Sequence, residues 1–217
     1  MSEHGTEIPP LPGSNGEHAL QLQLGSDKRA LAFYNNQMLD HLNPAMQEFI
    51  TKQTMMFIAS SDAHGECDCS FRAGDAGFIR VVDRKHIMWP EYRGNGVVAS
   101  GGNVKENPHM GILLMDFLEN TIGLHINGKA YLRADGAFAI LPEDVKRAIA
   151  EQNETIGGKK PTFWFLLEVE EAYIHCAKHI PHLVHYEKSI DWGTDDVVRK
   201  GGDFFKVKAE KKSETTR

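Results

Sequence analysis

Residues 66–132 read ECDCSFRAGDAGFIRVVDRKHIMWPEYRGNGVVASGGNVKENPHMGILLMDFLENTIGLHINGKAYL. Short runs of β-forming residues follow one another here, and one of them, residues 67–73, alternates strictly. Cys67, Cys69 and Phe71 fall on one face of that run, and Asp68, Ser70 and Arg72 fall on the other. Consecutive antiparallel strands on short turns favour a small barrel over a doubly wound sheet.

The same pattern continues on both sides of this stretch and predicts six or seven strands with few helices. The apolar run at residues 54–60 ends at a turn, and a long, initially apolar run follows residue 161. The predicted strands are residues 54–60, 67–73, 77–82, 86–89, 110–117, 121–132 and 162–176. The sequence therefore predicts a mainly β, antiparallel split β-barrel with flanking helices.

The domain boundaries are predicted from composition. Residues 1–25 are rich in Gly, Pro, Ser and charge, which is typical of a flexible arm, and residues 201–217 are expected to be a frayed tail. The barrel domain is expected over residues 26–200, beginning with a helix that runs from Ser26 to residue 42. Further helices are predicted at residues 45–53, 96–106 and 143–153.

The composition excludes several classes of function. The chain has 217 residues and a formal net charge of −6, so it carries no basic footprint for nucleic acid or for an anionic membrane. No apolar run approaches the roughly 20 residues that span a bilayer. The first residues lack the order of a secretory signal, and three cysteines are too few for a disulfide framework. The expected location is the cytoplasm.

Two segments carry residues suited to a phosphate-bearing aromatic cofactor. The loop at residues 89–96, WPEYRGNG, combines aromatic rings, a guanidinium and exposed backbone amides ahead of a predicted helix start. The alternative interpretation of the loop is an ordinary turn with a solvated arginine. For residues 70–72, the alternative is an exposed polar face of a strand. The candidate cofactor-binding residues are Ser70, Phe71, Arg72, Trp89, Tyr92, Arg93, Asn95, Ser100 and Asn103.

The order of several further motifs resembles one known family. Asn107-Pro108, the apolar residues 111–115, the sequence NGKA at residues 127–130 and a late strand ending in HCAK at residue 178 follow in the family's order. Residues 54–178 thereby resemble the pyridoxamine 5'-phosphate oxidase-like FMN-binding split barrels. The resemblance implies a homodimer that binds FMN at the subunit interface. The oxidase's Ser-Arg-Lys phosphate clamp has no close match here, so we expect a reaction other than vitamin B6 oxidation.

We therefore expect an FMN-dependent oxidoreductase acting on a small molecule, with no catalytic acid or base assigned. The alternatives are a haem-binding or haem-degrading split barrel, a deazaflavin-dependent reductase and a flavin carrier without turnover. The histidines near the carboxyl end, with Cys176, could hold zinc or haem iron, but their spacing matches no structural metal pattern and favours a structural or interface role. Cys67 and Cys69 are expected to be buried apolar fillers.

Overall fold

The computed structural model describes residues 11–154, 160–186, 188, 190–191, 193–208 and 210–211. Within these residues the chain forms five α-helices and eight strands. The helices are α1 Asn15–Leu24, α2 Asp27–Gln37, α3 Pro44–Lys52, α4 Ala99–Glu106 and α5 Glu143–Asn153. The strands are β1 Met38–Leu39, β2 Met55–Ser61, β3 Cys67–Ala73, β4 Arg80–Val81, β5 His86–Glu91, β6 His109–Asp116, β7 Ile122–Arg133 and β8 Phe163–His175.

The strands form one antiparallel sheet in the order β3-β2-β6-β7-β8-β5-β4, and β1 pairs with β8 beside β5. β8 is long enough to pair with β7 along one edge and with both β5 and β1 along the other. The described strands form an open sheet with β3 at one end, and helices flank it. The predicted mainly β, antiparallel fold with flanking helices is therefore confirmed.

The alternation of side chains along the strands separates a core face from an outer face. On the core face, Ile58, Ile112 and Ile126 occupy paired positions on β2, β6 and β7, and each is at most 2% exposed. Since burying one such side chain contributes about 1.5–3 kcal/mol, this row alone strongly favours the observed register over a one-residue slip.

The pairing of β7 with β8 shifts by one residue between Asn127 and Gly128. The shift is a β-bulge, and Glu170 of β8 is the extra residue. A Cβ atom at Gly128 would overlap the backbone oxygen of Glu168, so only glycine fits this close approach of two strands.

α1 lies within the predicted N-terminal arm, of which residues 1–10 are outside the described residues. Ser14 caps this helix by accepting a hydrogen bond from the Glu17 backbone N–H at 3.2 Å, and Gly25 ends it in the left-handed conformation. These local signals outweigh the polar composition. The domain boundaries themselves stay predictions, and part of the predicted tail lies outside the described residues.

The predicted helix from Ser26 to residue 42 is too long. α2 ends at Gln37, because Met38 and Leu39 pair with Tyr173 and Ala172 of β8. The three cysteines are exposed, so the expectation that Cys67 and Cys69 are buried fillers is wrong. Among the described residues, no helix has the length and apolar character needed to cross a membrane.

Candidate functional site

A polar cluster lies under α4, at the inner face of the edge strand β3. Arg72 is at its centre: its Nε donates to Glu91 Oε2 at 2.6 Å and its Nη1 donates to the Phe71 backbone oxygen at 3.0 Å. Its Nη2 also lies 3.4 Å from Ser100 Oγ, a long contact. The predicted alternation of β3 turns Arg72 towards this interior face.

Asp68 and Ser70 extend the cluster along the same face of β3. Ser70 Oγ donates to Asp68 Oδ2 at 2.9 Å, and Ser100 Oγ lies 3.3 Å from the same carboxylate oxygen. Ser100, in the first turn of α4, is only 2% exposed. One carboxylate therefore connects the edge strand to the start of the helix.

The Arg72–Glu91 pair is largely shielded from water, with side-chain exposures of 20% and 13%. Burial raises the pKa of Glu91 above its ordinary value, and the hydrogen bond and charge of Arg72 oppose that rise. Keeping the Glu91 carboxylate charged without Arg72 would therefore lower the stability of the fold. This pair is the most strongly coupled ionic feature of the cluster.

The loop at residues 92–98 starts and ends at this cluster. Glu91 immediately precedes the loop and Ser100 follows it closely, so Arg72 contacts the chain at both ends. Within the loop, Gly94, Gly96 and Val98 have positive φ values of 54°, 84° and 57°. A β-branched residue in the left-handed region is a true outlier, and such strain concentrates at functional sites.

The loop that precedes α4 presents one exposed cation. Arg93 is 63% exposed at its side chain and pairs with Asp195, with Nη2 and Oδ1 2.8 Å apart. Asn95 Oδ1 accepts the Val97 backbone N–H at 2.9 Å and so shapes the turn. The amides of the first helical turn have no acceptor inside α4, as at any helix start.

Further along α4, Asn103 Nδ2 donates to Ser60 Oγ at 3.1 Å and holds the helix on β2. A Cβ atom at Gly101 would approach the Phe163 ring to 2.9 Å, so the glycine allows close packing of helix and sheet. These contacts fix the position of the helix start relative to β3.

The structure therefore brings together some of the predicted cofactor residues and separates others. Ser70, Arg72 and Ser100 share the cluster, and Asn103 lies one turn further along α4. Arg93 and Asn95 lie in the attached loop. Phe71 is on the opposite face of β3, 53% exposed, with its ring centroid 5.6 Å from that of Phe57.

Trp89 does not lie in the loop, because β5 continues to Glu91. Its side chain is fully buried and stacks on Phe165 with ring centroids 5.1 Å apart. The ring therefore belongs to the core, because the apolar run IMW continues the strand, and the expectation that it lies near the isoalloxazine stays a prediction. Trp89 Nε1 is buried without a hydrogen-bond partner among the described residues.

Tyr92 lies at a separate cavity, lined also by Arg80 and Gln152. Sequence reasoning did not select Arg80, Gln152, Asp68 or Glu91. A usable signal existed only for Glu91, the one acidic residue at the end of the apolar run of β5. Arg80, Gln152 and Asp68 reach these sites only through contacts between segments that are distant in the chain.

The histidines near the carboxyl end do not form one cluster. His175 Nδ1 lies 2.9 Å from Nε2 of His125, which stacks on Tyr173 with ring centroids 4.7 Å apart. Burial and the neighbouring His175 both lower the pKa of His125. His179 and His185 are exposed and separate from this pair. In the part of the chain that the structure describes, no three His, Cys, Asp or Glu side chains are placed to share a metal ion.

Comparison with known proteins supports one family assignment. A family model described as "Pyridoxamine 5'-phosphate oxidase" matches residues 42–176, well over half of the chain. No curated protein gave a significant match.

Several solved structures are similar to part of this chain at low sequence identity. HupZ of Group A Streptococcus is 20% identical with a TM-score of 0.43, covering 59% of this chain and 90% of its own. HutZ, the haem storage protein of Vibrio cholerae, is 14% identical with a TM-score of 0.40, covering 62% and 93%. A Clostridium acetobutylicum protein related to general stress protein 26, of the pyridoxinephosphate oxidase family, is 11% identical with a TM-score of 0.37, covering 63% and 87%.

Proposed function

This chain belongs to the pyridoxamine 5'-phosphate oxidase family, and on that premise we propose that it is an FMN-binding flavoprotein that oxidises or reduces a small molecule. The observation that carries the proposal is the attachment of the loop at residues 92–98 to the partly buried Arg72. An exposed cation and three left-handed backbone positions thereby lie in one short loop that leads directly into the start of a helix.

The donor set at this place fits a phosphate monoester. Arg93 supplies a guanidinium that can hold two phosphate oxygens, and the first amides of α4 supply neutral donors with a favourable helix dipole. In the described structure, the guanidinium of Arg93 donates a hydrogen bond to the carboxylate of Asp195. Both side chains are mostly exposed, so a phosphate can displace the carboxylate at small cost.

The edge strand β3 offers the chemistry that the ring of a flavin needs. Because β3 pairs only with β2 among the described strands, its other backbone edge is available to hydrogen-bond the ring's polar atoms. Phe71 adds an exposed aromatic surface beside that edge. Bound FMN would supply hydride or electron transfer, while β3 and the loop bind and orient it.

We further propose that the active form is a homodimer. A row of apolar and aromatic side chains crosses the outer face of the sheet through paired positions: Phe71, Phe57, Leu113, His125 and Tyr173. Their side chains are only partly covered by the described chain. A contiguous face of this kind marks an interaction surface, and a second copy would cover it and place its own residues near β3.

The visible spectrum of the purified protein tests the cofactor proposal. The two absorption bands of an oxidised flavin support it, whereas a Soret band would refute it in favour of haem. A colourless protein that binds added deazaflavin but not FMN would assign the alternative cofactor. Flavin binding without turnover on any electron donor would indicate a carrier.

A titration with FMN tests the assigned phosphate ligand. Replacing Arg93 with Ala should weaken FMN binding by about 1.5–3 kcal/mol, the usual contribution of a hydrogen bond to a charged group. Arg133→Ala is the matched control, since Arg133 is also exposed and pairs with an aspartate. Equal affinities for the two variants would remove Arg93 from the site.

A further inference from the structure

A concave site lies between the turn at residues 73–78 and α5. It has a volume of about 290 Å³, and its apolar walls include Phe78 and the ring of Pro90. Three polar side chains from different elements, Arg80 of β4, Tyr92 after β5 and Gln152 of α5, also line it. A concave site with a few convergent polar groups is the usual form of a small-molecule pocket.

The charge of Arg80 is not neutralised by the described chain. The side chain is half-buried, its Nη2 donates to Gln152 Oε1 at 2.9 Å, and its guanidinium carbon lies 5.6 Å from the centre of the Trp164 ring. No carboxylate of the described residues forms an ion pair with it. Burial lowers the pKa of Arg80, yet a guanidinium stays charged at neutral pH. A partly desolvated cation of this kind is stabilised by an anion.

Gln152 fixes the direction of the polar groups. Its carbonyl oxygen faces Arg80, and its Nε2 donates to the Tyr92 hydroxyl at 3.4 Å, so the amide connects the two side chains. Asp75 also lines the cavity but is exposed. Its negative charge disfavours a dianion such as phosphate more than it disfavours a monoanion.

We propose that this cavity binds a small organic monocarboxylate, with the carboxylate on Arg80 and the organic part against Phe78 and Pro90. Tyr92 lies at the start of the loop proposed to hold FMN, so the bound acid would be positioned as the substrate. That substrate role rests on the proposed function; the carboxylate site itself depends only on the cavity and on a cation that has no carboxylate partner among the described residues.

Benzoate and its neutral isostere benzamide are suitable probes, followed by calorimetry on the full chain. We expect saturable benzoate binding and benzamide binding weaker by about tenfold or more, the effect of losing one charge-assisted hydrogen bond. Gln152→Glu places a carboxylate next to Arg80 as an internal counter-ion and should weaken benzoate binding to a similar degree. Gln23→Glu, at an exposed position of α1, adds the same charge away from the cavity and should leave binding unchanged.

The same variants distinguish this proposal from the flavin proposal. Gln152→Glu should keep its fold and its affinity for FMN, because it adds an ion pair and leaves Arg93 intact. No saturable benzoate binding, or equal binding of benzoate and benzamide, would overturn the carboxylate site. FMN binding with no benzoate binding refutes this inference alone. Benzoate binding with no flavin binding supports the site and refutes the flavin and substrate roles.

Discussion

Replacing Arg72 with Met should destabilise the folded protein by about 3–5 kcal/mol near pH 8, because it leaves a buried carboxylate unpaired. Glu91 is 13% exposed at its side chain, and Arg72 Nε is the donor that neutralises it at 2.6 Å. Met is similar in length to the aliphatic part of Arg, so the packing against α4 is largely kept. The decrease in the free energy of unfolding therefore comes mainly from the unpaired charge of Glu91.

The loss should depend on pH in a definite direction. Burial already raises the pKa of Glu91 above 4.5 in the folded protein, and Arg72 is what opposes that rise. Without Arg72 the folded-state pKa rises further above its unfolded value. Between these two values the folded state binds more protons than the unfolded state, so stability falls as the pH rises. Arg72→Met should thus lose less free energy of unfolding near pH 5 than near pH 8. Near pH 8, protonation of Glu91 no longer offsets the cost of burying its charge.

Urea unfolding at the two pH values measures this effect. Arg93→Met is the matched control: its ion pair with Asp195 is exposed, and its loss should cost less than about 1 kcal/mol at either pH. The double variant Arg72→Met/Glu91→Gln should recover part of the lost stability, because the buried group is then neutral.

Two outcomes would refute this reasoning. If Arg72→Met loses the same free energy at both pH values, the cost does not come from the ionisation of Glu91. If the double variant is no more stable than Arg72→Met, the two side chains do not act as a coupled buried pair.

Two further substitutions test the outer sheet face and the strained loop. Leu113→Glu should raise the dimer dissociation constant by about 100-fold or more, since a charge would be buried at the proposed interface; Val184→Glu, at a position 95% exposed, should not. Light scattering across a dilution series measures both, and an unchanged Leu113→Glu dimer would exclude this face as the interface. Val98→Gly should raise the free energy of unfolding by up to about 1 kcal/mol by removing the left-handed strain, whereas Val97→Gly should lower it slightly. A less stable Val98→Gly in urea unfolding would show that the strain is absent.

Much of the fold was predictable because side-chain periodicity reports which face of a strand is buried. The alternation along β3 correctly assigned Asp68, Ser70 and Arg72 to one face and Phe71 to the other. Asn43 and Pro44 correctly marked the start of α3, where Asn43 Oδ1 accepts the Met46 backbone N–H at 2.9 Å. These are local effects, which depend on residues close in the chain.

The errors arose where tertiary pairing overrides the local pattern. Met38 and Leu39 have helical spacing with the residues before them, but pairing with β8 ends α2 earlier. Trp89 precedes a loop rich in Gly, and the local pattern predicts that the strand ends there. Pairing between β5 and β8 carries the strand two residues further, and the ring is buried. Cys67 and Cys69 lie on the outer face, which the described chain leaves open.

The sequence by itself determined the antiparallel β character, the order of most elements and the chemical content of the loop at residues 92–98. Periodicity and turn chemistry act over a few residues, so a single chain contains that information. Only the tertiary structure decided that Arg72 joins Glu91 to the start of α4, and that Arg80 meets Gln152 in a cavity. Those contacts join residues 19 and 72 positions apart, and their strength depends on burial, which the packed sheet and helices create together.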